Sequence, residues 1–166
     1  FIEALVSLGN VFQDRRDLPN AIESYRAVIA LEPTLAEGHN NLATALQAQG
    51  KLDDAIRSYE RAIELKPSYA EAHCNLGTVF TELGNNSAAD MRFRVALSID
   101  SEYADAHSNL GILLFRRGEL DSARTSFAKA LSLTPDSTVS HRNLGGLFQE
   151  MGEHDAASKS LRHALA

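Results

Sequence analysis

Within residues 36–69, His39, Leu42, Ala43 and Leu46 follow the i, i+3, i+4, i+7 spacing of one helix face. Gly50 interrupts the pattern where a left-handed residue would stop a helix. Asp53 then offers a cap, and Ala55, Ile56, Tyr59, Ala62 and Ile63 trace a second apolar stripe up to Lys66-Pro67. Lys66 suits the negative end of that second helix's dipole. The stretch predicts two amphipathic helices joined by a tight turn.

The same pattern recurs. His-x-Asn-Leu is spelled at His39, His73, His107 and His141, at a constant interval of 34 residues. Laid at that period, the chain gives five copies: approximately 2–35, 36–69, 70–103, 104–137 and an incomplete 138–166. One column reads Leu8, Leu42, Leu76, Leu110 and Leu144, and the next Gly9, Ala43, Gly77, Gly111 and Gly145. Further columns hold Phe12, Leu46, Phe80, Leu114 and Phe148; then Ala21, Ala55, Ala89, Ala123 and Ala157; then Tyr25, Tyr59, Phe93, Phe127 and Leu161. Asp121 and Asp155 repeat the expected cap of Asp53, with Ser87 and Pro19 serving that slot in the other copies. Gly or Ala lets two helix backbones approach, and a large residue of the paired helix fills the space above. One pair cannot bury both faces of its helices, so neighbours must stack.

These columns resemble the tetratricopeptide repeat, a 34-residue helix-turn-helix unit with Leu-Gly, a large residue, then Ala, an aromatic and a closing Pro. The usual Trp slot is held by Leu5 and four histidines, Arg16 replaces the turn glycine in copy one, and Ser101 replaces the closing proline in copy three. The resemblance implies an all-α fold, an α-solenoid coiled as a right-handed superhelix of about five repeats, forming a single array over 1–166. Phe1 stands in the slot later held by Leu35, Tyr69 and Tyr103, so a fragment of a longer array is expected.

Composition narrows the partners. With 22 acidic and 16 basic residues the formal charge is -6, and no dense Lys/Arg stripe exists to neutralise phosphates, so no nucleic-acid partner is expected. No apolar run approaches the roughly 20 residues that cross a bilayer, so no membrane role is expected either. The single Cys74 makes no internal disulfide, which suits a reducing, cytoplasmic setting.

On each first helix the turn angle places the repeated asparagine away from the pair's own core. The stripe carries Glu37, Asn41, Thr44 and Ala48, then Glu71, Asn75, Thr78 and Glu82, then Asp105, Asn109, Ile112 and Arg116. Copy five offers Val139, Asn143, Gly146 and Glu150, and copy one breaks the row with Ser7. The family resemblance implies that this face lines the concave groove and holds an extended peptide. An amide both donates and accepts, so it can pair with a peptide backbone whatever its side chains. The candidate binding residues are therefore Asn41, Asn75, Asn109, Asn143, Glu37, Glu71, Asp105, Thr44 and Thr78. Two structural alternatives stand beside this one: bonding across to the adjacent helix, or neutral copying of the repeat.

The phrase Ala-Asp-Ala-His-Ser-Asn-Leu-Gly at 104–111 is most similar to the repeats of O-linked N-acetylglucosamine transferases and related bacterial repeat proteins. That implies, as an alternative, a substrate-recruiting arm whose catalytic domain lies outside this chain. A third reading is self-assembly through an exposed terminal repeat, since the last helix ends on Leu161 and Leu165 without a polar cap.

No metal or cofactor is expected. Equivalent histidines on successive repeats sit about 10 Å apart, too far to share one zinc, and packing in the Trp slot is their expected role. A basic clamp for an acidic tail is not expected, because the corresponding positions carry Val6, Asn40, Cys74 and Ser108, with only Arg142 basic. Cys74 is assigned to the groove side as an ordinary thiol. Phosphate-loop, nucleophile-elbow and zinc-protease motifs are absent, so no enzyme activity is expected of these residues. Asn85-Asn86-Ser87 is formally a glycosylation sequon, meaningful only in a secreted protein.

Overall fold

The computed structural model describes residues 1–165 and contains ten α-helices among them. Five first helices, α1 (Ile2–Asp14), α3 (Ala36–Ala48), α5 (Ala70–Glu82), α7 (Ala104–Arg116) and α9 (Thr138–Glu150), alternate with five second helices. The second helices are α2 (Leu18–Leu31), α4 (Leu52–Leu65), α6 (Asn86–Ile99), α8 (Leu120–Leu133) and α10 (His154–His163). Every first helix begins 34 residues after the last, as the period requires. The fold is an all-α solenoid of paired helices consistent with about five repeats. Ala166, the end of the incomplete fifth copy, lies outside the described residues.

Two compact units divide the chain, Phe1–Leu83 with α1 to α5 and Gly84–Ala166 with α6 to α10. In the first unit α1 pairs with α2 and α3 with α4, while α2 also packs on α3 and α4 on α5. The second unit follows the same rule: α7 pairs with α8, α9 with α10, α6 packs on α7 and α8 on α9.

The small-and-large columns meet as expected. A Cβ added at Gly111 would lie 2.6 Å from the Phe127 ring, and one at Gly145 2.6 Å from Leu161 Cγ. Tyr25, Tyr59, Phe93 and Phe127 are all fully enclosed.

Between the helices of a pair, Gly50 takes φ +78°. Its N–H bonds to Gln47 O at 2.8 Å, and Lys51 N–H to Leu46 O at 2.9 Å, the paired bonds of a Schellman stop. Arg16 holds the same left-handed conformation at φ +59° and makes the equivalent bonds with Asp17. The turn therefore survives the loss of its glycine.

The expected caps are displaced by two residues. Helices α4, α8 and α10 are preceded by Lys51, Glu119 and Glu153, none of which caps through its side chain, and Asp53, Asp121 and Asp155 lie inside the first turn. Asp17 and Asn85 are the side-chain caps of α2 and α6, accepting from the backbone N–H of Asn20 and Ala88. Pro19 and Ser87 sit within the helices they were expected to open. The Schellman turn fixes the start of α2, α4, α8 and α10. An acid in the first turn still favours the helix through its dipole without capping it.

The four histidines pack in the Trp slot and do something further. Each Nε2 lies 2.9–3.0 Å from the backbone carbonyl six residues earlier: Pro33 for His39, Pro67 for His73, Ser101 for His107 and Pro135 for His141. A carbonyl only accepts, so Nε2 carries the proton. Each histidine thus fastens the turn before a repeat to that repeat's first helix.

Candidate functional site

The stripe inferred from helix geometry faces outward in both units. Glu37 and Glu71 are exposed, while Asn41, Thr44, Asn75 and Thr78 are half-buried. In the second unit Asp105 is exposed, and Asn109 and Asn143 are half-buried.

The candidate residues are engaged to very different degrees. Asn41 makes no side-chain hydrogen bond within the described residues, so its amide keeps both donors and its acceptor. Asn75 donates to Asn40 Oδ1 at a long 3.4 Å, crossing from α5 to α3. That is the inter-repeat bonding alternative. The counterpart of Asn40 one repeat earlier is Val6, which offers no acceptor, and this explains why Asn41 remains open. Asn109 has an interaction of its own within the described residues. Asn143 Nδ2 is enclosed and unpartnered. Glu71 accepts from Asn40 Nδ2 at 3.0 Å. The hydroxyl of Thr44 lies 3.1 Å from Asn40 O and 3.0 Å from Tyr59 Oη, and that of Thr78 donates to Cys74 O at 3.2 Å. Among the described residues, Glu37 and Asp105 hold no ion pair.

Asn40 and Cys74 do not open onto the groove. Both are about 1% exposed. A single-helix wheel sees only the packing inside a pair, whereas α3 and α5 also touch each other, and Asn40 bonds across that contact. Asn40, bonded to both Glu71 and Asn75, is the polar residue that the sequence reading missed. Its signal was the pairing of an amide at 40 with an acid 31 residues later.

Beneath the stripe in the first unit runs a hydroxyl and amide network. Tyr25 Oη donates to Asn10 Oδ1 at 2.7 Å, and Tyr59 Oη to Gln47 Oε1 at 3.0 Å. Gln47 Nε2 then donates to Glu82 Oε1 at 2.6 Å, tying α3 to α5. Burial, helped by Asp14, pushes the Tyr25 hydroxyl up to about 12, and burial raises Tyr59 as well. An unfolded tyrosine loses its proton near its ordinary 10.0, so the unfolded state binds fewer protons above that pH. Stability should be full below pH about 10 and fall as pH climbs through about 12. Alkaline titration followed by circular dichroism checks this, and Tyr59→Phe should flatten the fall; an equal slope in both proteins would contradict the assignment.

Near the start of α1 and α3 an open cleft of about 850 Å³ is lined by Glu3, Val6, Ser7, Asn10, Glu32 and Glu37, among others. It joins copy one's stripe to the first acid of copy two. First helices of this unit carry Glu3, Asp14, Glu37, Glu71 and Glu82 and no Lys or Arg. On α4, by contrast, Arg57 pairs with Asp54 and Arg61 with Glu64.

No three His, Cys, Asp or Glu side chains converge as a metal cage among the described residues. No described helix is long and apolar enough to cross a membrane.

A family model described as TPR repeat matches residues 9–50 and 45–84, and one described as tetratricopeptide repeat matches 102–166. The crystal structure of MamA is 27% identical with TM-score 0.77, covering 95% of this chain and 92% of that one. The pilF protein of Pseudomonas aeruginosa is 20% identical with TM-score 0.90, covering 99% and 75%. YrrB, described as a TPR protein with an unusual peptide-binding site, is 19% identical with TM-score 0.69, covering 97% and 83%. At such identity the last two show the fold. No curated protein matches the chain. Nothing in these likenesses singles out the O-linked N-acetylglucosamine transferases. The two family models together match most of the chain, and it belongs to the tetratricopeptide repeat family of protein-interaction scaffolds.

Proposed function

We propose that this scaffold holds an extended peptide along its first helices, with the repeated asparagines pairing to the peptide backbone. The observation that carries the reading is the open amide of Asn41, flanked by the exposed Glu37. Helices pack about 8–10 Å apart, and an extended chain advances about 3.3 Å per residue. One amide per repeat therefore meets roughly every third peptide residue. The likeness to YrrB supports the capacity of this fold to hold a peptide; it does not locate the site.

Charge adds a selectivity. The acids on α1, α3 and α5 have no cation on those helices to offset them, so the first unit favours neutral or basic peptides and repels acidic ones.

Fluorescence anisotropy with labelled random peptides of basic, neutral and acidic composition tests both parts. Each backbone bond contributes about 0.5–1.5 kcal/mol, so changing Asn41, Asn75, Asn109 and Asn143 together to alanine should weaken binding at least on the order of tenfold. Asn41→Ala should weaken binding with an unchanged melting temperature, whereas Asn75→Ala should lower the melting temperature. Unaltered binding by the fourfold variant would refute the ladder. Equal affinity for acidic and basic peptides at low salt would refute the selectivity alone.

A further inference from the structure

The first-helix stripe changes chemistry from one unit to the other. In the first unit, second helices bring hydroxyls to its middle column: Tyr25 Oη donates to Asn10 Oδ1, and Tyr59 Oη lies 3.0 Å from the Thr44 hydroxyl. In the second unit the same column reads Ile112 and Gly146, and the large residues beneath are Phe127 and Leu161, which carry no hydroxyl. Phe127 packs against Gly111 and Leu161 against Gly145, the residues just before Ile112 and Gly146. A Cβ added at Gly146 would meet no atom within 4 Å. Val139, two turns earlier on α9, is 48% exposed in a column that carries Glu3, Glu37, Glu71 and Asp105 in the other four copies.

The openness of this column comes from its own side chains. In the first unit Asn40 and Gln47 of α3 bond forward to α5, where Glu71, Asn75 and Glu82 reach back. On the helical wheel the column of Thr44 and Thr78 lies between those two flanks and points at neither neighbouring first helix. In the second unit α7 and α9 touch in the same way. The 35-residue register of the α3–α5 bonds sets Ile112 opposite the Gly146–Leu147 step.

We infer that the second unit holds one large apolar side chain of the bound peptide, such as leucine, over Gly146 and against Ile112. This deepens the peptide reading and rests on it. A polar group seated there would leave water with no hydroxyl beneath to receive it, which costs free energy. An apolar one sheds water against the half-buried Ile112 and gains by the same transfer. Charge does not decide this seat, because Arg116 and Arg142 on α7 and α9 balance Asp105 and Glu150.

Fluorescence anisotropy tests the seat with two labelled peptides of about 12 residues, rich in Ser and Thr and differing only in a central Leu or Thr. The Leu peptide should bind about tenfold more tightly to the wild type. Gly146→Thr restores the side chain of copies two and three, and Ile112→Thr removes the apolar wall. Each should bring the affinity ratio close to one. Gly146→Thr should not lower the melting temperature, since threonine suits a helix better than glycine. Asn41→Ala, in the other unit, should weaken both peptides alike and keep the ratio. A wild-type ratio of one overturns the seat, as does a ratio that Gly146→Thr leaves intact. An Asn41→Ala variant that binds both peptides as the wild type does, with the ratio kept, counts against the ladder and supports the seat. Failure of both peptides to bind at about 1 mM overturns the two together.

Discussion

Leu76→Ala is expected to cost about 2–5 kcal/mol of folding stability, whereas Leu8→Ala in the same repeat column should cost less than about 1 kcal/mol. The two leucines are identical in sequence role and differ only in what covers them. Leu76 is fully enclosed, in one core with Ala55, Tyr59 and Val79, so truncation leaves a cavity that rigid helices cannot close. Leu8 is 44% exposed, and its removal mostly exchanges one solvated surface for another. Urea unfolding of both variants at low concentration decides the matter. Equal losses would mean that Leu8 is packed in solution, and a loss below about 1 kcal/mol at Leu76 would contradict the enclosed core.

That contrast marks what the sequence could disclose. A 34-residue period combined with 3.6-residue amphipathicity locates every helix pair, because the interior of a pair imposes both periods on the chain. The stripe of Glu37, Asn41 and Thr44 was legible for the same reason: it is what remains after the pair's own core is assigned. Contacts between repeats obey no rule that one helical wheel contains. Asn40 and Cys74 therefore read as groove positions, although both are buried. Leu8 likewise read as core, although it is nearly half exposed.

The caps failed differently. Asp53, Asp121 and Asp155 carry the right side chain in the wrong register, because the turn's own backbone bonds decide where the second helix starts. The histidines were placed correctly on the packed face, but their bond to a carbonyl depends on a turn geometry that composition does not encode. The constant six-residue spacing from Pro33, Pro67, Ser101 and Pro135 was its only trace.

Phe127→Ala should cost about 3–5 kcal/mol, and the loss should be felt first in α7 and α8. Phe127 is about 1% exposed and its ring fills the space left by the missing side chain of Gly111. With alanine at 127, neither facing position reaches across that space, and the two helices must either keep a void or shift together at the expense of their other contacts. Phe127→Leu should cost only about 1 kcal/mol, because leucine already performs this task one repeat later, where Leu161 lies over Gly145. Amide hydrogen exchange reads the location: residues 104–133 should lose protection while α1 to α4 keep theirs, as expected when stability is a sum of local terms. Uniform loss across all ten helices would show instead that the repeats unfold as one cooperative block. A small loss for Phe127→Ala would show that these helices approach each other by backbone fit alone, and the large-over-glycine columns would then lose their physical explanation.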